Sequence, residues 1–302
     1  MKISIILSVS FSIVFIILVN NVFALSSVSL KYEEPSSAEE VEILRWVKSL
    51  PGGALFIDRG SKTSTQANSS FNNFAVTVMM DDQPAHYQTA ASSNKNVLDA
   101  VVGFINNRFQ LKHSIELVIG AGRAVYADTG EKIIFIPFTF FKEARELFIQ
   151  AGKGDLVNQA VADVVLHTVL HELGHLLIAM YDIPIVGREE DAVDALATVL
   201  MLQYARGGAI RVEHTAELYK LDREPIKNLR KWDFMGEHSL NIQRHYQIMC
   251  HVYGSDPASY QTLKRRIGFS DDRGLICIDE YRQISQGWAH LLEPYLLTQG
   301  HE

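Results

Sequence analysis

The stretch His171-Glu172-Leu173-Gly174-His175 is where this sequence concentrates its chemistry. It lies within residues 163–180, a run without proline and rich in apolar residues, which predicts a helix. On a helix, His171 and His175 stand one turn apart on one face and can share a tetrahedral zinc ion. Glu172 lies beside them, placed to take a proton from a water at the ion and pass it to a leaving amine. Glycine within a helix costs about 1 kcal/mol relative to alanine, so Gly174 marks a point where something approaches the backbone.

The next segment offers a third ligand. Tyr181-Asp182-Ile183-Pro184-Ile185-Val186-Gly187 should turn the chain, and Arg188-Glu189-Glu190-Asp191-Ala192-Val193-Asp194 then opens another helix. Acidic residues in a first turn are favourable on dipole grounds alone. Glu190 and Asp194, however, have the i,i+4 spacing that puts a ligand and a supporting acid on one face. Glu190 is therefore expected on the ion, with Asp194 accepting a hydrogen bond from a ligand histidine and fixing its tautomer. Consecutive helical residues diverge by about 100°, so Glu189 and Asp191 are expected to face elsewhere, and loss of Glu189 should leave zinc binding near its parent value. The metzincin extension fails, because Ile178 and Tyr181 occupy its glycine and histidine positions. His167 lies about 12 Å of helix rise from His175, too far to share an ion, and reads as a packed histidine.

Glu190 and Asp194 after H-E-x-x-H resemble the gluzincin metallopeptidases. The longer string H-E-L-G-H-L-L-I … P-I-V-G-R-E-E-D-A-V-D-A-L-A looks more specifically like a bacterial metallopeptidase family of unknown function. The resemblance extends over roughly residues 76–295. It takes in the hairpin before Pro137, Glu237-His238-Ser239-Leu240, Gln243-Arg244, Cys250 and Tyr253-Gly254-Ser255-Asp256-Pro257, and it departs at Arg123-Ala124, where the family carries Asn-Ala. It implies zinc as cofactor and a peptide or protein as substrate. His238, in a shared string, is the candidate hydrogen-bond donor to the oxyanion, with Asp233 or Glu237 to orient it and Arg244 or Tyr246 as alternatives. Two other readings stay open: a catalytically silent, metal-stabilised binding or scaffold protein, and a zinc hydrolase of non-peptide amides. Glu172 argues against the first, since a structural site has no use for it.

The elements that must position these residues follow from the rest of the chain. Lys2, the uncharged apolar run at residues 3–19 and Val22-Phe23-Ala24 read as a secretory signal peptide over residues 1–24, so a secreted or periplasmic protein with no stable membrane span is expected. The whole chain has 28 basic and 35 acidic residues, a net charge of −7, which gives no footprint for nucleic acid. Cys250 and Cys277, in an exported chain, are expected to form a disulfide. Residues 25–75 read as an N-terminal segment with a polar linker, and residues 76–300 as the zinc metallopeptidase domain. Short helices are expected at 36–50 and 96–111, strands at 54–57, 74–80 and 115–119, and a hairpin around Asp128-Thr129-Gly130. Helical runs follow at 140–150, 156–180, 188–204, 238–252 and 278–292. A few strands before many helices predicts an α+β fold, a small sheet and hairpin packed on a mainly helical, zincin-like body.

Overall fold

A computed structural model describes residues 26–52, 55–56, 96–223 and 225–297. The segment read as a signal peptide, the expected polar linker and the strand expected at 74–80 lie outside the described residues. The fold is α+β, as expected: a small mixed sheet beside a body of helices.

The sheet has the order β1-β2-β4-β3, from β1 (Val28–Tyr32), β2 (Ile115–Gly120), β3 (Tyr126–Asp128) and β4 (Ile133–Pro137). β1 and β4 run parallel to β2, and β3 closes an antiparallel hairpin with β4. The hairpin turn is held by Asp128, whose carboxylate accepts the backbone N–H of Gly130 and of Glu131, each at 2.9 Å. β1 was not anticipated. Its strand is only five residues long, and the Asn106 side chain grips both backbone groups of Val28, at 2.6 and 2.9 Å. Of the strand expected at 54–57, Phe56 forms a single bridge to Ala205 and stacks on Phe104.

Helices α2 (Val97–Arg108) and α3 (Phe138–Gln150) pack on α4 (Val157–Tyr181), which lies at the centre of the body, and α1 (Ala38–Val47) packs on α3. Within α4, Val161, Val165, Leu166, Val169, Leu170, Leu173 and Leu177 are fully buried on all sides, as a helix without a polar face must be. It is long and apolar enough to cross a membrane by length and composition, but 89% of that apolar window is buried inside the protein. α5 (Glu189–Tyr204), α6 (Gly208–Leu221), α7 (Asn241–Ser255), α8 (Gln261–Ile267) and α9 (Asp271–Leu292) complete the body.

Two helices differ from expectation for a physical reason. α6 escapes an apolar-stripe reading because its inward face carries Arg211, His214 and Thr215, all buried. Asp163 on α4 makes that possible: it accepts from Arg211, from His214 Nδ1 at 2.8 Å and from Gln159 Nε2 at 2.8 Å. Paired in this way, the polar side chains escape the cost of unsatisfied burial. α9 starts at Asp271 rather than at 278, because Ser270 caps it and accepts the Arg273 N–H at 3.1 Å. The expected disulfide is present and staples α7 to α9 through Cys250 and Cys277. Beside it, a Cβ on Gly254 would stand 2.1 Å from the Cys277 carbonyl oxygen, so only glycine allows the two helices so close.

Candidate active site

α4 and α5 build the site by lying against each other at Gly174. A Cβ there would come within 2.7 Å of Val193 Cγ1 and 2.9 Å of its Cβ. The missing side chain lets Val193 of α5 seat on α4, and the start of α5 then falls over His171 and His175. Between the helices the chain turns at Asp182, which ends α4 in the left-handed region with φ 52°, and at Gly187 with φ 118°.

Three side chains converge at this point. His171 Nε2 lies 3.3 Å from His175 Nε2 and 3.2 Å from Glu190 Oε2, while His175 Nε2 lies 3.5 Å from Glu190 Oε1. One ligand-type atom from each of the three residues falls within 4.8 Å of the others. The other nitrogen of each ring is already used. His171 Nδ1 donates to Asp194 Oδ1 at 2.8 Å, and His175 Nδ1 donates to Glu189 Oε1 at 2.7 Å. A carboxylate only accepts, so each ring in its neutral form carries its proton on Nδ1 and turns a lone pair inward at Nε2.

Glu189 corrects the sequence reading, which gave it no part in the site. Its neighbour Glu190 meets the Nε2 edge of His175 and Glu189 meets the Nδ1 edge. The two nitrogens lie on different sides of one ring, so consecutive residues of α5 can serve both despite their divergence. Asp194 is in turn clamped by Arg244 of α7, Nε to Oδ2 at 2.6 Å and Nη2 to Oδ1 at 2.7 Å. Arg244 also donates to the Tyr219 hydroxyl from α6. Its guanidinium is thus committed to Asp194 and Tyr219 and does not serve as an oxyanion donor. Tyr246, the other alternative, packs edge-on against His245.

His238 stands at the mouth, its side chain 53% exposed, with Nε2 2.9 Å from Glu190 Oε2. Its ring lies nearly parallel to that of His171. Neither Asp233 nor Glu237 pairs with it: the Asp233 carboxylate caps its own short 3-10 turn through the Arg230 N–H. Glu172 is buried beside the two histidines and, among the described residues, has no hydrogen-bond partner. His167 is buried against Thr198 at 3.2 Å, away from the cluster, and burial lowers its imidazole to about 3.

The electrostatics favour positive charge at the point of convergence. Burial alone would lower the His171 imidazole, but the hydrogen bond to Asp194 and the Glu190 carboxylate beside it reverse this and raise it to about 9, so the pocket favours positive charge. Burial would raise the Glu190 carboxyl, yet His171, His175 and His238 pull it well below the usual carboxylate range. Burial, with no hydrogen bond to offset it, pushes Glu172 upward. Glu190 Oε2 is buried and, although nitrogens surround it, none directs a hydrogen bond at it. With both rings neutral, two inward lone pairs and an unsatisfied buried carboxylate oxygen make a set of acceptors without a donor. Such a set fits a divalent cation, and two imidazoles with one carboxylate suit zinc in a hydrolytic site.

Fold and donor set together define an α+β protein with a candidate metal centre of hydrolase type, carried on two packed helices. The chain belongs to the family DUF4344, described as "putative metallopeptidase", whose model matches residues 80–292 and so spans every residue of this site. No curated protein and no solved structure matches it.

Proposed function

We propose that the protein is an exported zinc metallopeptidase of gluzincin type, with His171, His175 and Glu190 as metal ligands. The observation that carries this reading is the convergence of three acceptor atoms, each ring aimed by its own carboxylate, next to a buried carboxyl with no hydrogen-bond partner among the described residues. Zinc held there would act as a Lewis acid on a scissile carbonyl and make water acidic enough to attack at neutral pH.

The chain's own residues divide the remaining work. Glu172 takes the proton of the attacking water and returns it to the leaving amine; with no hydrogen bond to any described residue, its oxygens are available for the transfer. Asp194 and Glu189 keep the Nδ1 protons in place, so the ligand lone pairs stay at Nε2. His238, half-exposed at the mouth, presents an N–H to the oxygen that gains charge in the transition state. Family membership supports a peptide or protein substrate, and the disulfide supports an oxidising compartment.

The test is metal content and hydrolysis on the purified mature chain. One zinc per chain is expected, with cleavage of an unstructured protein substrate that a chelator abolishes and added zinc restores. Zinc bound without cleavage of any peptide would favour the silent scaffold, and cleavage of small non-peptide amides alone would favour the other hydrolase.

A further inference from the structure

We propose that Arg244, backed by Tyr219, is a positioning residue for the metal centre, acting through Asp194 to aim the His171 lone pair. The inference rests on the metal-site reading above. The two histidines are oriented by carboxylates held very differently. Glu189, on His175, has a side chain 47% exposed, and among the described residues it pairs with that ring alone. Asp194, on His171, has a side chain 7% exposed, and both of its oxygens are engaged.

Oδ1 accepts from His171 Nδ1 and from Arg244 Nη2, and Oδ2 accepts from Arg244 Nε. With both oxygens engaged by a planar fork, the plane of the carboxylate is set by the guanidinium. The Nδ1–H bond then transmits that orientation to the imidazole, and so to the direction of Nε2. The guanidinium is itself fixed from behind: its central carbon lies 3.9 Å from the centre of the Tyr219 ring, and Nη2 donates to the Tyr219 hydroxyl. The path runs Tyr219, Arg244, Asp194, His171, through α6, α7, α5 and α4. Helices that contribute no metal ligand thus determine where one ligand points.

Lysine separates orientation from charge, because an ammonium supplies the positive charge without the two-point planar grip. Arg244→Lys should therefore weaken zinc binding about tenfold, the lower end of what loss of a partner behind a metal ligand costs. The cobalt-substituted variant should show an altered visible d–d spectrum. In an Asp194→Asn background the same substitution should add no further weakening, because the path is already cut. Tyr219→Phe keeps the ring and removes one acceptor; it should weaken zinc binding by a smaller factor, and it serves if Arg244→Lys does not fold. A merely structural role would lower the unfolding midpoint while leaving the zinc affinity and cobalt spectrum of the folded protein unchanged. Parent-like affinity and spectrum in Arg244→Lys, or in Tyr219→Phe if that variant alone folds, would overturn the inference. A full further loss in the Asp194→Asn background would overturn it as well. A parent chain that binds no zinc would instead overturn the metal-site reading itself.

Discussion

At the scale of single residues, the site divides into what local spacing encodes and what only the fold assembles. His171, Glu172 and His175 are legible because one helical turn places them together, and Asp194 is legible from its i,i+4 relation to Glu190. Glu189 is not, since its use depends on which edge of His175 faces α5. Arg244 can be named from the chain, but its engagement with Asp194, 50 positions away, is a tertiary fact. These positions predict a graded series in metal titration. Glu190→Ala should lose most zinc affinity, and Asp194→Ala should lose about 10–100-fold. Glu189→Ala should lose less, because an exposed carboxylate exchanges its hydrogen bond with water at little cost. A Glu189→Ala variant weaker than Glu190→Ala would contradict the assignment of ligand and supporting acid.

At the scale of elements, the packing of α4 on α5 joins fold to site, and Gly174 is its narrowest point. Gly174→Ala places a methyl group against Val193 and should cost about 1–3 kcal/mol, as overpacking of a tight core does. Because Glu190 rides on α5 one turn before Val193, zinc affinity should fall with it; chemical denaturation and metal titration on the same sample check both effects. α7 carries a separate pH dependence through His251. Burial lowers its imidazole to about 4, with Glu280 and Asp194 pulling it up and Arg273 pushing it down. The folded value lies below the ordinary 6.5, so the unfolded chain binds the extra proton. Stability from this group is complete above pH 6.5 and is lost as pH falls toward about 4, by up to about 3 kcal/mol. In urea unfolding at pH 7 and pH 5, His251→Leu should lose less stability than the parent between the two; equal losses would contradict this. The helices with plain apolar stripes are legible from sequence, whereas α6 is hidden because its inward residues are polar and find their partner, Asp163, on a distant part of the chain.

At the scale of the whole molecule, the α+β order is legible because strands come early and helices late, and the disulfide because a chain read as exported carries two cysteines. β1 is not, since a five-residue edge strand owes its place to pairing with β2, 87 positions on. The Cys250–Cys277 bridge closes a loop of sequence separation 27, and its reduction should cost about 3–4 kcal/mol of stability. Zinc, bound only by the folded chain, should raise the thermal midpoint in a concentration-dependent way. Both effects are readable in thermal scans with and without reductant and metal. The central claim is that a zinc centre held by His171, His175 and Glu190 works with Glu172 as its proton carrier. The most direct measurement is the peptide hydrolysis rate of Glu172→Gln beside the parent, at equal measured zinc content. The account predicts one zinc per chain in both and a rate lower by about 10²–10⁴-fold in the variant; a zinc-loaded variant that hydrolyses peptides as fast as the parent would contradict it.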